Sequence, residues 1–353
     1  MISAQLATRQ IVRLPLQLRE SSGLWVSLPN RMWTHNDAGN TNQIYCFDTT
    51  GTIVRTITIS NIQNIDWEDI TADPQGNIYI NDAGNNDNNR HNLAIHILPN
   101  PDNNPSGTQQ AQSINFQFPD QTAFPPPGNN RNFDIEAIVW RTDSIMLFTK
   151  NRSSPTNGYC KMYALKATAG QHFAVLRDSV FTGFTADDRV TAATLHPNGT
   201  MLVLLTRRGL IVFNQFEGNR FFRGRKTFLP FLTLPGQAEG LDFVDANTLF
   251  MTEEGNSNQG GYLYEIKLPQ TLSVMHSNSP SRGCRVINNQ LIIDSAEYSG
   301  DIISIFDQQG RLVYQMPFTR IISLQPLPTG FYNLISRGPE SRFSCKIYVS
   351  KAE

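Results

Sequence analysis

A short acidic element recurs along most of this chain, and its recurrence limits the folds open to it. It reads Glu68-Asp69-Ile70, Glu136-Ala137-Ile138 and Glu239-Gly240-Leu241, and each copy is followed eight to ten residues later by an apolar run: Asn77 to Ile80, Ser144 to Phe148 and Asn247 to Met251. Two weaker copies complete the set. Ser22-Gly23-Leu24 precedes Arg31 to Thr34, and Thr191-Ala192-Ala193 precedes Thr200 to Leu205. The runs are short, rich in β-branched and aromatic residues, and punctuated by Gly, Asn, Asp and Pro, whereas helical periodicity is nearly absent. The chain therefore reads as all-β.

Third strands follow in every copy, from Gln43 to Phe47 in the first to Tyr262 to Lys267 in the fifth, and most copies add a fourth, such as Ile53 to Ile59 or Ser113 to Phe118. With Ser22, Glu68, Glu136, Thr191 and Glu239 as anchors, the spacings are 46, 68, 55 and 48 residues. Four-stranded meanders at such spacings are β-propeller blades, because one unit cannot bury its faces without neighbours. Five blades are expected; a six-bladed ring is the alternative and needs a further copy. The fifth unit lacks a fourth strand while Gln10 to Leu18 is unassigned, so an N-terminal strand is expected to close the ring. The widest spacing holds Pro99 to Asn132, rich in Pro, Asn and Gln, which reads as a long loop.

Lys and Arg number 29 against 30 Asp and Glu, a net charge of -1, and no long basic run appears. That excludes the electrostatic footprint of nucleic-acid binding. No segment approaches the roughly 20 apolar residues of a membrane-spanning helix. Cys46, Cys160, Cys284 and Cys345 are too dispersed for a paired zinc motif. Cys284 and Cys345 lie near the two ends of the C-terminal segment, where a disulfide and two small buried side chains are both open readings.

After Leu268-Pro269 the repeat stops, and Ser277 to Gly283 reads as a linker. The expected boundaries are 1–271 for the propeller and 272–353 for a small Ig-like β-sandwich. The second segment runs Asp301 to Asp307, then Gly310-Arg311-Leu312-Val313, then Leu327-Pro328-Thr329-Gly330-Phe331-Tyr332, then Lys346-Ile347-Tyr348-Val349. In this order and spacing it resembles the C-terminal sorting domain of type IX secretion cargo from Bacteroidota. The resemblance implies recognition by the type IX secretion machinery through residues 272–353 and a secreted or outer-surface location. It also implies that the missing apolar signal core at Met1 to Gln10 reflects a signal peptide already removed. The chain ends Ser350-Lys351-Ala352-Glu353, so the lysine is not terminal, and processing after export stays open.

First strands of propeller blades line the central channel, so Glu68, Glu136 and Glu239, with Glu20 or Ser22 and Thr191, are expected around one axis. Crowded carboxylates repel unless a cation, a proton or basic neighbours compensate. One reading places Ca²⁺ among Glu20, Glu68, Glu136 and Glu239, since Ca²⁺ accepts carboxylate oxygens in flexible geometry. The other pairs these glutamates with Lys150, Arg152, Arg207 or Arg208. The second strands end alike, and they bring Asp37, Asp82 and Glu253 near Arg90, Lys150, Arg152 and Arg207. That mixed ring suits a phosphorylated or sugar ligand or, alternatively, a set of ion pairs. His35 is the general-base candidate, with a structural hydrogen bond as the competing role. No Gly-x-Ser-x-Gly, His-Glu-x-x-His or phosphate-cradling glycine loop occurs.

The elements Glu20-Ser21-Ser22-Gly23-Leu24, Trp33-Thr34-His35-Asn36-Asp37, Asp66-Trp67-Glu68-Asp69, Asp82-Ala83-Gly84-Asn85-Asn86 and Ala238-Glu239-Gly240-Leu241 resemble secreted propellers of the SdiA-regulated and esterase-like phytase groups. They are more distantly similar to calcium-dependent lactonase propellers. Fold and reaction separate easily on propellers, so two functions stand. One is a ligand-, glycan- or partner-binding protein. The other is a calcium-dependent hydrolase of esters, lactones or phosphoesters, with His35 assisting water activation.

Overall fold

The computed structural model describes residues 5–269, 284–287, 290–293, 302–307, 311–317, 319, 321–337 and 342–349. Contacts divide the chain into two compact units, Met1–Ser273 and Val274–Glu353. Neither contains, among the described residues, a helix long and apolar enough to cross a membrane.

The first unit is an all-β, propeller-like array of five sheets, each a meander starting on one strand of the repeat. The starting strands are Ser21–Leu28, Ile70–Ala72, Ile135–Arg141, Val190–Leu195 and Ala238–Phe243. Each contacts the next, and the fifth contacts the first, which makes a closed ring. Second strands such as Met201–Thr206 and Thr248–Glu253 are buried along their whole length. A sheet sandwiched between two neighbours has no solvent face, and its strand reads as a continuous apolar run for that reason. Outer strands such as Val175–Phe181 are largely exposed.

The fifth sheet takes its outermost strand from the other end of the unit: Thr8–Arg13 pairs antiparallel with Tyr262–Lys267. Within the Pro99 to Asn132 segment the fourth strand read at Ser113 to Phe118 is present, and a further short strand departs from the loop expected around it. Gln112–Gln117 is the fourth strand of the second sheet, and Thr108–Gln109 runs parallel to Thr58 and Ile59 of the first. Alternating Ile114 and Phe116 explain the pairing, since both are buried in the apolar core between the second and third sheets.

Side chains stitch neighbouring sheets near the ring. Asp69 accepts the N–H groups of Ile70 and Ile138, both at 2.8 Å, and Thr71 accepts the Trp140 N–H at 3.1 Å. Asp242 accepts the Val26 N–H across the closure and the Thr194 hydroxyl of the fourth sheet, both at 2.7 Å. Gly23 lies at φ +73°, and a Cβ there would sit 2.7 Å from the Ile70 nitrogen. That approach explains glycine beside the apolar residue of the repeat.

In the second unit, Cys284–Ile287, Gln290–Ile293 and Ile321–Ser323 form one sheet, and Leu312–Pro317, Ile302–Phe306, Gly330–Arg337 and Arg342–Val349 form another. Leu291 and Ile322 from the first share a core with Ile303, Ile305, Leu334 and Ile347 from the second. The Pro328-Thr329-Gly330 turn delivers Tyr332 into that core, its hydroxyl donating to the Pro328 carbonyl at 2.9 Å. Cys46 and Cys160 are buried free thiols. The Cys284–Cys345 bridge falls on side chains outside the described residues.

Asp69→Ala leaves two backbone donors without their acceptor and is expected to lower unfolding stability by about 2 to 4 kcal/mol in urea titrations. Asp69→Asn keeps one acceptor oxygen and should lose less. Equal stability of wild type and Asp69→Ala would contradict this role.

Candidate functional site

Three of the ring-lining anchors occupy β-bulges. The pairing register slips between Ile135 and Ala137, between Val190 and Ala192, and between Ala238 and Gly240, which leaves Glu136, Thr191 and Glu239 as the extra residues. A bulge bends its strand and re-aims the unpaired side chain. Glu68 precedes its strand, its N–H bonded to the Asn81 carbonyl at 2.9 Å. The second strands run back to the same end of the ring. There Asp37 bonds to the Glu20 carbonyl, Lys150 to the Asp134 carbonyl and Glu254 to the Gln237 carbonyl, at 2.9, 2.9 and 2.7 Å through their N–H groups.

Carboxylates from four sheets thus meet. Asp37, Glu239 and Glu254 bring one oxygen each within 4.8 Å of the others, as do Asp37, Asp66 and Glu68, and Glu68, Asp134 and Glu136. Shared members make these three groups one continuous acidic cluster. The cations are distributed unevenly over it. Lys150 Nζ lies 2.8 Å from Glu136 and 3.8 Å from Glu239. Arg152 lies 2.5 Å from Asp134 and 2.6 Å from Glu136, and Arg90 lies 2.9 Å from Asp82 and 3.8 Å from Asp66. At the other end, Glu239 Oε2 and Glu254 Oε1 are buried with no hydrogen-bond partner, although Glu239 Oε1 accepts from Gln237 at 3.0 Å.

Proton affinities follow this distribution. Burial pushes Glu136 upward, but Lys150 and Arg152 outweigh it and hold its carboxyl below the ordinary glutamate range. Burial acts against charge on both cations as well, and the surrounding carboxylates reverse it. Burial, then neighbouring Glu136, lifts Asp134 to about 7. Burial lifts Asp37 to about 7, helped by Glu239, and Asp66 to about 6 against the pull of Arg90. Glu68 is pushed well above its ordinary value by burial and by Glu136. Glu254 is raised to about 10 by burial and by Glu239. The arrangement can hold protons or a hard cation, and its oxygens suit the latter.

Of the residues picked from sequence, the structure brings Asp37, Glu68, Glu136, Glu239, Lys150 and Arg152 together. Glu20 belongs to none of the three acidic groups; it lies 3.4 Å from Arg19 and accepts from Asn40. Asp82 is buried between Arg90 and His96. Glu253 belongs to none of the three acidic groups and accepts the Gly236 N–H at 2.8 Å. Arg207 is on an exposed pair with Asp187. His35 is fully buried, its Nδ1 3.2 Å from the Asn36 carbonyl and its ring edge-on to Trp67 at 5.4 Å. Burial lowers its pKa to about 4, and it joins none of the acidic groups.

Asp66, Asp134 and Glu254 are the members that sequence reasoning missed. Asp66-Trp67-Glu68 and Asp134-Ile135-Glu136 share an Asp-x-Glu spacing, a usable signal because residues two apart in extended chain face the same way. Glu254 adjoins Glu253, which was chosen in its place.

No family model and no curated protein matches this chain. Among solved structures it is similar to PorZ, an essential surface component of the type IX secretion system of Porphyromonas gingivalis. The identity is 12% and the TM-score 0.34, over 94% of this chain and 45% of that one. A candidate gluconolactonase matches at 11% identity and TM-score 0.38, over 74% of this chain and 92% of that one. The extracellular domain of a candidate one-component system from B. thetaiotaomicron matches at 11% and 0.38, over 96% and 59%. The chain therefore spans less than two thirds of the first and third of these proteins.

Raised carboxyl pKa values fix the sign of a pH dependence. Between about pH 4 and their folded values, Asp37, Asp66 and Asp134 keep protons that the unfolded chain has released, so stability falls as the pH rises through that window. In a chelator, thermal stability is expected to be higher near pH 5 and to fall as the pH rises through 6 and 7. A flat or rising melting profile over that interval would contradict the burial of these groups as a cluster.

Proposed function

We propose that this chain is an exported five-bladed β-propeller that binds its ligand at the acidic end of the ring, with a calcium ion held by Asp37, Glu239 and Glu254. The observation that carries the reading is the pair of buried, unpartnered oxygens on Glu239 and Glu254 beside Asp37. In the metal-free chain a proton on Glu254, shared toward Glu239, offsets the crowding, and a divalent cation would replace it and serve several oxygens at once. Ca²⁺ tolerates the irregular spacing that three carboxylates from two sheets provide, with water or ligand oxygens completing its shell. Glu136 is a weaker ligand than the repeat implies, because Lys150 and Arg152 already compensate it. Binding is favoured over turnover by the placement of His35, whose ring packs against Trp67 in the interior.

Millimolar Ca²⁺ is expected to raise the melting temperature over that in chelator, by an amount worth about 2.7 kcal/mol at a hundred times the dissociation constant. Mg²⁺, which demands tighter octahedral geometry, should do less. Glu254→Gln should lose the calcium response and Glu20→Gln should keep it. Metal-free protein that melts identically in calcium and chelator would rule the ion out.

Residues 272–353 act, in this proposal, as the type IX sorting signal, supported by the Gly310-Arg311-Leu312-Val313 and Pro328-Thr329-Gly330-Phe331-Tyr332 elements. Removing them is expected to retain the propeller in the periplasm of a type IX-competent host. Undiminished export of the truncated chain would reject that role.

A further inference from the structure

A row of exposed aromatic rings lies on the third sheet where it meets the fourth. Tyr159 and Phe181 are cross-strand partners at the ends of Tyr159–Lys166 and Val175–Phe181, and their ring centroids are 5.7 Å apart. Phe184 continues the row, 4.8 Å from Phe181. All three rings face solvent, at 43%, 37% and 68% exposure for Tyr159, Phe181 and Phe184.

Beside the row opens a notch of about 10 Å³, room for one water-sized group. Its lining is mainly polar, with Thr149, Asn151, Thr156, Thr182, Thr185 and Arg189 contributing. Two further lining residues, Gly158 and Gly183, join the notch to the rings. A Cβ on Gly158 would lie 2.5 Å from Phe181 Cε2 and 2.5 Å from the Gly183 carbonyl oxygen, and one on Gly183 would strike Asp188, the neighbour of Arg189. The loop between the sheets is held in place. The Thr182 N–H donates to the Gly158 carbonyl at 2.8 Å, and Thr185 donates to Asp188 through its N–H at 3.0 Å and its hydroxyl at 2.6 Å.

Arg189 breaks the pattern of the repeat. Asp134, Arg189 and Gln237 each precede the first inner-strand residue paired with a second strand, namely Ile135, Val190 and Ala238, so a cation stands in the fourth sheet where the third has an acid. Its guanidinium makes no hydrogen bond or ion pair among the described residues. The surrounding carboxylates are already engaged. Asp187 and Asp188, just before it in the chain, pair with Arg207 and Arg208, while Asp134 and Glu136 pair with Arg152 and Lys150. Burial, then Arg152, lowers the Arg189 pKa, as expected for a positive charge drawn from water without a counter-ion. Lys226 donates to the Phe181 carbonyl and has no carboxylate partner among the described residues, which adds positive potential at the rings.

An exposed aromatic ring beside a polar notch fits a pyranose. The negative π face attracts the weakly positive hydrogens of the sugar's C–H face, and hydroxyl and amide groups at the edge take its hydroxyls. An uncommitted guanidinium adds a preference for a carboxylate. We propose that this surface binds an acidic saccharide of the uronate class, its C–H face on Phe181 and Phe184 and its carboxylate at Arg189. A neutral sugar leaves Arg189 without an anion, and an apolar carboxylate leaves the polar notch unused.

Binding of methyl β-D-glucuronide, methyl β-D-glucoside and cyclohexanecarboxylate to the full chain is followed by saturation-transfer NMR titration in chelator, so that the outcome does not depend on the ion proposed for the ring. The glucuronide should bind more tightly than either other compound by about tenfold, the worth of one charge-assisted contact. Arg189→Gln should erase the difference between glucuronide and glucoside, and Arg189→Lys should keep part of it. Phe184→Ala should weaken the glucuronide by about tenfold, the worth of one aromatic contact. All three variants should melt as wild type does, since Phe184 is exposed and Arg189 has no partner to lose. No binding to wild type, a glucoside or cyclohexanecarboxylate that binds as tightly as the glucuronide, or unchanged glucuronide affinity in Arg189→Gln or in Phe184→Ala would each overturn the proposal.

Discussion

The pairing of Thr8–Arg13 with Tyr262–Lys267 is the constraint on which the first unit depends. It joins strands more than 240 residues apart in sequence, with Arg9 forked onto Glu265 at 3.0 and 2.9 Å and the Leu14 N–H bonded to the Gly261 carbonyl at 2.8 Å. An open row of sheets would leave two unpaired edges and let the inner strands splay. Closure fixes the distance between every starting strand and its two neighbours. Asp242 then reaches Val26 across the seam just as Asp69 reaches Ile138 within the row. The carboxylates at the strand ends are held together because the ring leaves them no room to separate.

Such crowding opposes folding locally and is tolerated because the apolar cores between sheets supply the stability. The opposition is not spread evenly. Around Glu136, two cations at hydrogen-bond distance turn repulsion into a compensated network. Around Glu239 and Glu254 the nearest cation is Lys150, 3.8 Å from Glu239, and it is already engaged by Glu136. A buried network that is only partly satisfied is the place where an additional charge gains most. The asymmetry, more than the number of acids, is what distinguishes the two ends of the cluster.

The repeat was legible because each sheet needs the same inner-strand geometry, so Glu68, Glu136 and Glu239 recur in register with their apolar partners. Lys150 and Arg152 were legible as candidates for the same reason: the second strands end on the same side. Glu254 was not, because a strand's last residue decides which of two adjacent glutamates faces the ring, and that parity depends on a bulge at Ala238/Gly240 that leaves no mark in composition. His35 looked accessible from its place beside Asn36-Asp37, yet the ring faces Trp67 of the next sheet, a tertiary contact with no local signature.

A net charge of -1 conceals two regions of opposite character. Buried carboxylates collect at one end of the ring, while Arg177 and Arg220 lie on an exposed rim and make no ion pair among the described residues. Solvent-exposed charges act over about 8 Å at physiological ionic strength, so the rim arginines are felt by an approaching anion but little by a cluster enclosed in protein. The cluster, poorly screened, is governed by its immediate partners, and the rim by the solution around it. Salt therefore acts chiefly on the exposed charges, whereas the enclosed carboxyls answer chiefly to protons.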